Sequence, residues 1–256
     1  MVSEQGMIDL HCHLLPGIDD GAPDVAASVA MARRAVADGI EVVACTPHAY
    51  PGLYDNRAPE IRAAVASLQA RLEEDGVPLR LTHGADIHLM PDVLQGLKTG
   101  RLPTLGDSRY LLLEPSHHVP PPHFEDHVWN LLASGYVPLI THPERLRWID
   151  RHYPVFCRLA QRGAWMQITA GSLVGEFGRR ACYWAERMID EGLVHVLASD
   201  GHGVDHRPVT MAEARDAAAQ RLGEAEAWRL VRERPAQVLA DAPPETVIPP
   251  PALRAA

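Results

Sequence analysis

Short apolar runs alternate with stretches of helical spacing along almost the whole chain. Met7–Leu10, Ile40–Cys45, Leu79–Leu81, Tyr110–Leu113, Val137–Thr141, Trp165–Ile168 and His195–Ser199 read as strands. Between them, Asp24 to Asp38 carries Val25, Val29, Ala32 and Val36 on one helical face, with Asp24 as N-cap and Gly39 as stop. The same reading predicts helices over Pro59–Glu74, Pro91–Leu97, Phe124–Ala133, Pro154–Gln161, Phe177–Asp190, Met211–Leu222 and Glu224–Arg232, several of them ended by a glycine. Repeated strand–helix units imply a parallel sheet, and seven of them suggest a barrel or near-barrel, with an open doubly wound sheet as the alternative. No repeat or linker divides the chain. A single domain is expected over residues 7–242, followed by a Pro-rich tail, 243–256, expected to be loosely ordered.

Composition narrows the class. The 256 residues, 46% of them hydrophobic, suffice for a substantial core. No apolar run approaches the roughly 18–20 residues of a membrane span, and Met1–Gly6 lacks a signal pattern, so no membrane insertion and a cytoplasmic location are expected. A net charge of -9 without a Lys/Arg block argues against nucleic acid as a partner. Cys12, Cys45, Cys157 and Cys182 form no C-x-x-C pair and read as reduced thiols. The unusual figure is histidine, at 14 residues.

Placed on the predicted elements, the polar residues form a pattern. His11 and His13 follow the first strand, with Asp19 and Asp20 in the same loop. His48 follows the second and Asp86 the third. Glu114 ends the fourth, His142 follows the fifth, and Asp200 and His202 follow the seventh. In a parallel barrel all C-terminal strand ends share one face, so these residues converge. His11-x-His13 and Asp200-x-His202 each put two ligands on one side of an extended segment. The imidazole and carboxylate set, with no thiolate, suits Mn²⁺, Fe²⁺ or Zn²⁺ and favours the first two. It exceeds the needs of one ion, and Glu114 or Asp86 could bridge a pair. Arg145 and Arg207 add guanidinium forks that match phosphate oxygens. Taken singly, each of these residues has a bland reading as a turn, core or surface group; the joint pattern does not. His83 and His195 read as strand residues with local bonds. His88, His152 and His206 read as surface or loop residues, and His117, His118 and His123 as members of a solvated Pro-rich loop.

No cysteine has an arginine at the Cys-x5-Arg spacing, and neither a Gly-x-Ser-x-Gly elbow nor a phosphate-binding Gly-x-x-x-x-Gly-Lys loop is present. A hydroxide held by the metals is therefore the expected nucleophile.

The segments Ile8-Asp9-Leu10-His11-Cys12-His13, Pro16-Gly17-Ile18-Asp19-Asp20-Gly21, Thr46-Pro47-His48, Gly84-Ala85-Asp86, Glu114, Thr141-His142-Pro143-Glu144-Arg145 and Ser199-Asp200-Gly201-His202 with Arg207 resemble the polymerase and histidinol phosphatase (PHP) superfamily. Within it they most resemble the bacterial capsule and exopolysaccharide protein-tyrosine phosphatases, over about Ile8 to Leu239. The resemblance implies a distorted (β/α)7 barrel with two or three divalent ions, usually manganese. By motif position the ligands would be His11, His13, Asp20, His48, Asp86, Glu114, His142, Asp200 and His202, with Arg145 and Arg207 on the phosphate. It implies a phosphotyrosine-bearing protein as substrate, a cognate capsule tyrosine kinase. The family usually has glutamate where Asp86 stands, and often asparagine where Thr169 stands.

Three other readings compete. A relative acting on histidinol phosphate or another small phosphate monoester would share the same motifs. An amidohydrolase would often carry a carboxylated lysine on the fourth strand, but the sole lysine, Lys98, lies outside any predicted strand. A metal-binding regulator without catalysis would bind metal and turn nothing over. The sequence leaves the oligomeric state open.

Overall fold

The computed structural model describes residues 6–254. Ten strands are found among them: β1 Met7–Cys12, β2 Ile40–Cys45, β3 His48–Tyr50, β4 Tyr54–Asp55, β5 Arg80–His83, β6 Asp86–His88, β7 Tyr110–Glu114, β8 Val137–Thr141, β9 Trp165–Thr169 and β10 Val196–Ala198. Two pairs are single strands broken in the middle. β2 runs into β3 across Thr46 and Pro47, where proline has no N–H for the ladder. β5 runs into β6 across Gly84 and Ala85. A Cβ on Gly84 would stand 2.8 Å from Leu105 and 3.0 Å from Thr46, so the close packing there requires glycine. Backbone bonds carry the ladder over both breaks, from Gly84 N to Cys45 O and from Asp86 N to Pro47 O.

The strands pair in parallel in the order β1, β2, β5 and β10, β9, β8, β7, β6, β3, with β4 antiparallel on β3. Bonds from Asp200 N to His11 O (2.8 Å) and His13 N to Gly201 O (2.9 Å) join β1 to the segment after β10. With the broken strands counted once, this is a closed seven-stranded (β/α) barrel, as expected. The open-sheet alternative is excluded by that seam.

Alternation fills the barrel. Ile8, Leu10, Val42, Ala44, Tyr110, Leu112, Val137, Leu139, Trp165 and Val196 pack together as an inner cluster. Their neighbours Val43, Leu111, Leu113, Ile140, Met166 and Leu197 pack outward with the helices. Carrying the inner phase towards the C-terminal strand ends leads to Glu114, Thr141, Gln167, Thr169 and Asp200: the fill turns polar where the mouth begins. In β1 a register shift between Asp9 and Cys12 changes the phase, so that Cys12 joins the outer cluster.

Helix boundaries largely follow the predicted ones. The Asp24 carboxylate accepts from Ala27 N and caps Val25–Ala37. One start is corrected: the helix expected from Pro154 spans Ile149–Gln161 and holds Pro154 inside it. Its buried stripe of Ile149, Tyr153, Phe156 and Leu159 crosses the proline, and packing outweighs one lost bond. The Pro-rich tail, expected to be loose, is held along 243–254. Val247 is buried beneath the barrel with Val238, Ile248 O accepts from Arg234, Ala252 N donates to Gly192 O, and Arg254 pairs with Glu226. Its last two residues lie outside the described ones.

Candidate metal centre

The mouth is built from strand ends. His11 and His13 leave β1, His48 opens β3, Asp86 opens β6, Glu114 closes β7, His142 follows β8, and Asp200 and His202 follow β10. Asp20 comes from the loop after β1, in which Gly21 is forced: a Cβ there would stand 2.2 Å from His13 O. All nine residues expected as ligands therefore meet at one face. Five overlapping groups place ligand atoms within 4.8 Å of one another: His13, Asp20, His48 and His202; His11, Asp86 and His142; His11, His13 and Asp200; Glu114, His117 and His142; His48, Asp86 and Glu114.

Asp86 stands at the middle of this arrangement. Its Oδ2 lies 3.5 Å from both His11 Nε2 and His48 Nδ1 and 3.9 Å from His142 Nε2. It is fully buried, and neither carboxylate oxygen makes a hydrogen bond. Asp200 Oδ1 lies 3.4 Å from His11 Nε2 and 3.4 Å from His13 Nε2. Asp20 Oδ1 reaches His48 Nε2 at 3.5 Å and His202 Nε2 at 3.4 Å from the half-exposed rim.

The rings are held from behind. His11 Nδ1 donates to Gln167 Oε1 (3.0 Å), His13 Nδ1 to Asp19 Oδ2 (2.7 Å), and His202 Nδ1 to Asp200 O (2.9 Å). Each leaves Nε2 aimed into the mouth, the arrangement that fixes the tautomer of a metal-ligating histidine. Asp9, fully buried below, accepts from His11 N, Ser199 N and the Ser199 hydroxyl, locking the seam that carries Asp200.

Three residues at the mouth have strained backbone. His142, Asp200 and Arg207 have φ of 34°, 51° and 52°, a left-handed region that non-glycine residues enter at a cost. The turn at His142 swings a residue that alternation would point outward back over the barrel.

Electrostatics sort the groups. Burial, reinforced by Arg145, pushes His142 down to about 3, and burial with His13 pushes His202 down to about 4, so both are neutral and offer lone pairs. Burial opposes charge on Glu114, as does Asp86, yet its bonds to His117 and His88 hold it at about 2. Burial likewise opposes charge on Asp200, but His11, Arg207 and Arg145 hold it well below the carboxylate range. Burial would lower His13, but Asp19 and Asp200 raise it to about 10: two carboxylates draw positive charge to this ring, and a cation at Nε2 would supply it in place of the proton.

The residues present fit divalent cations. A buried carboxylate with two unsatisfied oxygens, ringed by imidazoles, is costly without a positive partner. The donor set is nitrogen and oxygen without thiolate, since Cys12 is turned away from the mouth. Asp86, though one bond shorter than glutamate, reaches three histidines.

Arg145 and Arg207 both reach Asp200 Oδ2, the latter at 2.6 Å. Arg145 also lies 3.4 Å from the Thr169 hydroxyl, the position where asparagine is common in the resembling family. The Phe177 ring backs both guanidiniums, 4.3 Å from Arg145 and 5.8 Å from Arg207. A cavity of about 440 Å³ opens over them.

Three residues take roles that the sequence pattern does not assign to them. His88, read as surface, lies 3.4 Å from Glu114 Oε2, and His117, read as solvated loop, lies 3.3 Å from Glu114 Oε1. The Asp19 carboxylate is buried and orients His13, while its neighbour Asp20 faces the mouth. Asp86-x-His88 repeats the alternation of Asp200-x-His202 and could have revealed His88. His83 lies 3.2 Å from Asp107 and His195 accepts from Met166 N; neither belongs to the ligand groups.

A family model for capsular polysaccharide synthesis, CpsB/CapC, matches residues 7–240. The tyrosine-protein phosphatase YwqE of Bacillus subtilis is 41% identical over 209 residues, 81% of this chain and 82% of that one. The tyrosine-protein phosphatase CpsB of Streptococcus pneumoniae is 31% identical over 246 residues, 92% of this chain and 99% of that one. A crystal structure from work on YwqE and CpsB, described as unique metal-dependent tyrosine phosphatases, superimposes with a TM-score of 0.89 at 36% identity, covering 93% of this chain and 96% of that one. A β-aspartyl dipeptidase from Fervidobacterium islandicum, 16% identical with a TM-score of 0.52 over 91% of this chain and 74% of that one, shares the fold alone.

Proposed function

This chain belongs to the CpsB/CapC capsular polysaccharide synthesis family and is a metal-dependent protein-tyrosine phosphatase, and from that premise we propose how its residues divide the work and what it acts on. The observation that carries the reading is the convergence of nine ligand-type side chains and two arginines on one barrel mouth.

His13, Asp20, His48 and His202 would hold one ion. His11, Asp86 and His142, with Asp200 and Glu114 between neighbouring groups, would hold one or two more. Manganese is the proposed ion, with Fe²⁺ or Zn²⁺ as alternatives, because the set is hard and free of thiolate. Divalent ions, when bound, supply an activated water and charge compensation for the phosphate.

The chain's own residues do the rest. Arg145 and Arg207 take the phosphate oxygens in bidentate fashion and orient the ester. Asp200 holds both guanidiniums ready, and Phe177 keeps them at the cavity wall. His88 and His117 fix Glu114. The phenol of tyrosine ionises near pH 10, so the leaving group departs without a strong general acid.

The proposed substrate is phosphotyrosine on a protein, a cognate capsule tyrosine kinase, and the proposed unit is one domain over residues 7–242 with the segment 243–254 packed against it. No helix among the described residues is long and apolar enough to cross a membrane. A cytoplasmic location is proposed because the four cysteines are free thiols, which suits a reducing compartment. Turnover of a phosphotyrosine peptide compared with histidinol phosphate tests the substrate. The peptide is expected to have the higher kcat/KM, and clear preference for histidinol phosphate would overturn the assignment.

A further inference from the structure

The cavity is lined by two unlike sets of residues. Arg145, Arg207 and Asp200, which follow β8 and β10, form one. Tyr50, Leu53 and Tyr54, which follow from β3 elsewhere in the strand order, form the other. These three belong to the hairpin formed by β3 and β4, in which Tyr50 pairs with Tyr54 and the turn passes through Gly52 at φ 83°. Leu53 N donates to Tyr50 O (3.0 Å), and Gly52 N donates to the Asp55 carboxylate (3.0 Å), so the tip is a tied turn.

The hairpin is also fixed to the metal centre by ring stacking. Tyr50 lies on His88 at 3.9 Å with the planes 9° apart, and His88 in turn bonds Glu114. Tyr54 lies on His48 at 5.6 Å and 15°. The wall therefore stands at a set distance from the ligand groups. Leu53 is 63% exposed at its tip, the most exposed large apolar side chain among the described residues. A lone exposed leucine would mean little. This one shares a cavity with two tyrosines and with the phosphate arginines.

Resting on the phosphatase reading above, we infer that Tyr50, Leu53 and Tyr54 form the wall that receives the aromatic ring of the substrate and so select aryl over alkyl phosphate esters. An aryl ester places a flat apolar ring between its phosphate and the rest of the molecule. With the phosphate held at the arginines, that ring must occupy the space beside the hairpin. A serine ester has no such ring and would leave the wall wet. Aromatic stacking and burial give the ring an advantage that the shared phosphate contacts cannot.

The test uses two probes with the same charged head, phenylphosphonate and methylphosphonate, titrated calorimetrically into the manganese-loaded enzyme. Wild type is expected to bind the phenyl compound about 10-fold tighter, a gap suited to one well-packed ring. Leu53→Ser, at an exposed tip where folding is not at stake, should narrow the ratio about 3-fold, and Tyr54→Leu should narrow it as well. Equal affinities in wild type, or a ratio unchanged in both variants, would overturn the inference. So would parallel weakening of both probes, which marks a structural role. A wild-type enzyme that discriminates between the probes but does not hydrolyse a phosphotyrosine peptide would instead count against the phosphatase reading.

Discussion

Asp86 carries a carboxylate that solvent does not reach and no hydrogen bond satisfies. Leaving such a charge uncompensated costs several kcal/mol, so in the proposed centre its three histidine neighbours would act with a cation as one unit. Asp86→Ala is expected to lower the bound-metal stoichiometry, measured by elemental analysis, and to cut kcat by at least about 100-fold, in line with losing a metal-centre group. The arginines behave differently. Arg207→Ala should leave metal content intact and lower kcat/KM for a phosphotyrosine peptide by about 100-fold, as expected for a lost charge-assisted fork on the reacting phosphate. Loss of metal in that variant would reassign Arg207 to structure through its bond to Asp200. Phe177→Leu keeps bulk but removes the π face behind both guanidiniums. It should raise KM about 3- to 10-fold with little change in kcat. A change in kcat with KM untouched would contradict a positioning role.

At the scale of elements, the strand ends carried most of the site into view. His11-x-His13 and Asp200-x-His202 were legible because period two is a geometric rule, and Glu114 because it extends an apolar strand in the inward phase. The broken strands hid the rest. Pro47 and Gly84 interrupt the apolar runs, so no local pattern marks β3 and β6 as strands, and His88 lies beyond the second break. His117 sits in a loop without periodicity, where only the fold brings it to Glu114. Asp19 and Asp20 are adjacent loop residues that spacing does not tell apart; one stands behind His13 and the other at the rim. The order of the tail is not legible in its composition because its anchors are long-range. Glu226 is buried and binds Arg234 (2.5 Å), Arg229 (3.0 Å) and Arg254, tying the tail to the floor of the barrel. Burial alone would raise Glu226, but Arg234 and its neighbours lower it below the ordinary glutamate value of 4.5. A depressed carboxylate stabilises above its unfolded value and loses that contribution as pH falls through the folded one. Glu226→Gln should therefore cost about 2–4 kcal/mol at pH 7, read as a lower Tm, with the gap to wild type closing below pH 4.5. A gap that stays constant with pH would contradict the ionic role.

Across the whole molecule, the closed barrel explains why ligands far apart in sequence meet. Its inner cluster is apolar through the middle layers and polar at the C-terminal mouth, and the seam between β1 and β10 sets His11 against Asp200. The fold class followed from seven strand–helix units, whereas closure depended on bonds at the seam that no local pattern reports. The chemistry proposed for this chain needs cations gathered at that mouth. Its most direct test is elemental analysis and phosphotyrosine-peptide turnover on the same preparation, before chelation, after exhaustive chelation and after manganese is returned. Two or three ions per chain, loss of turnover with the metal and recovery on its return are predicted. Undiminished turnover in metal-free protein would contradict it.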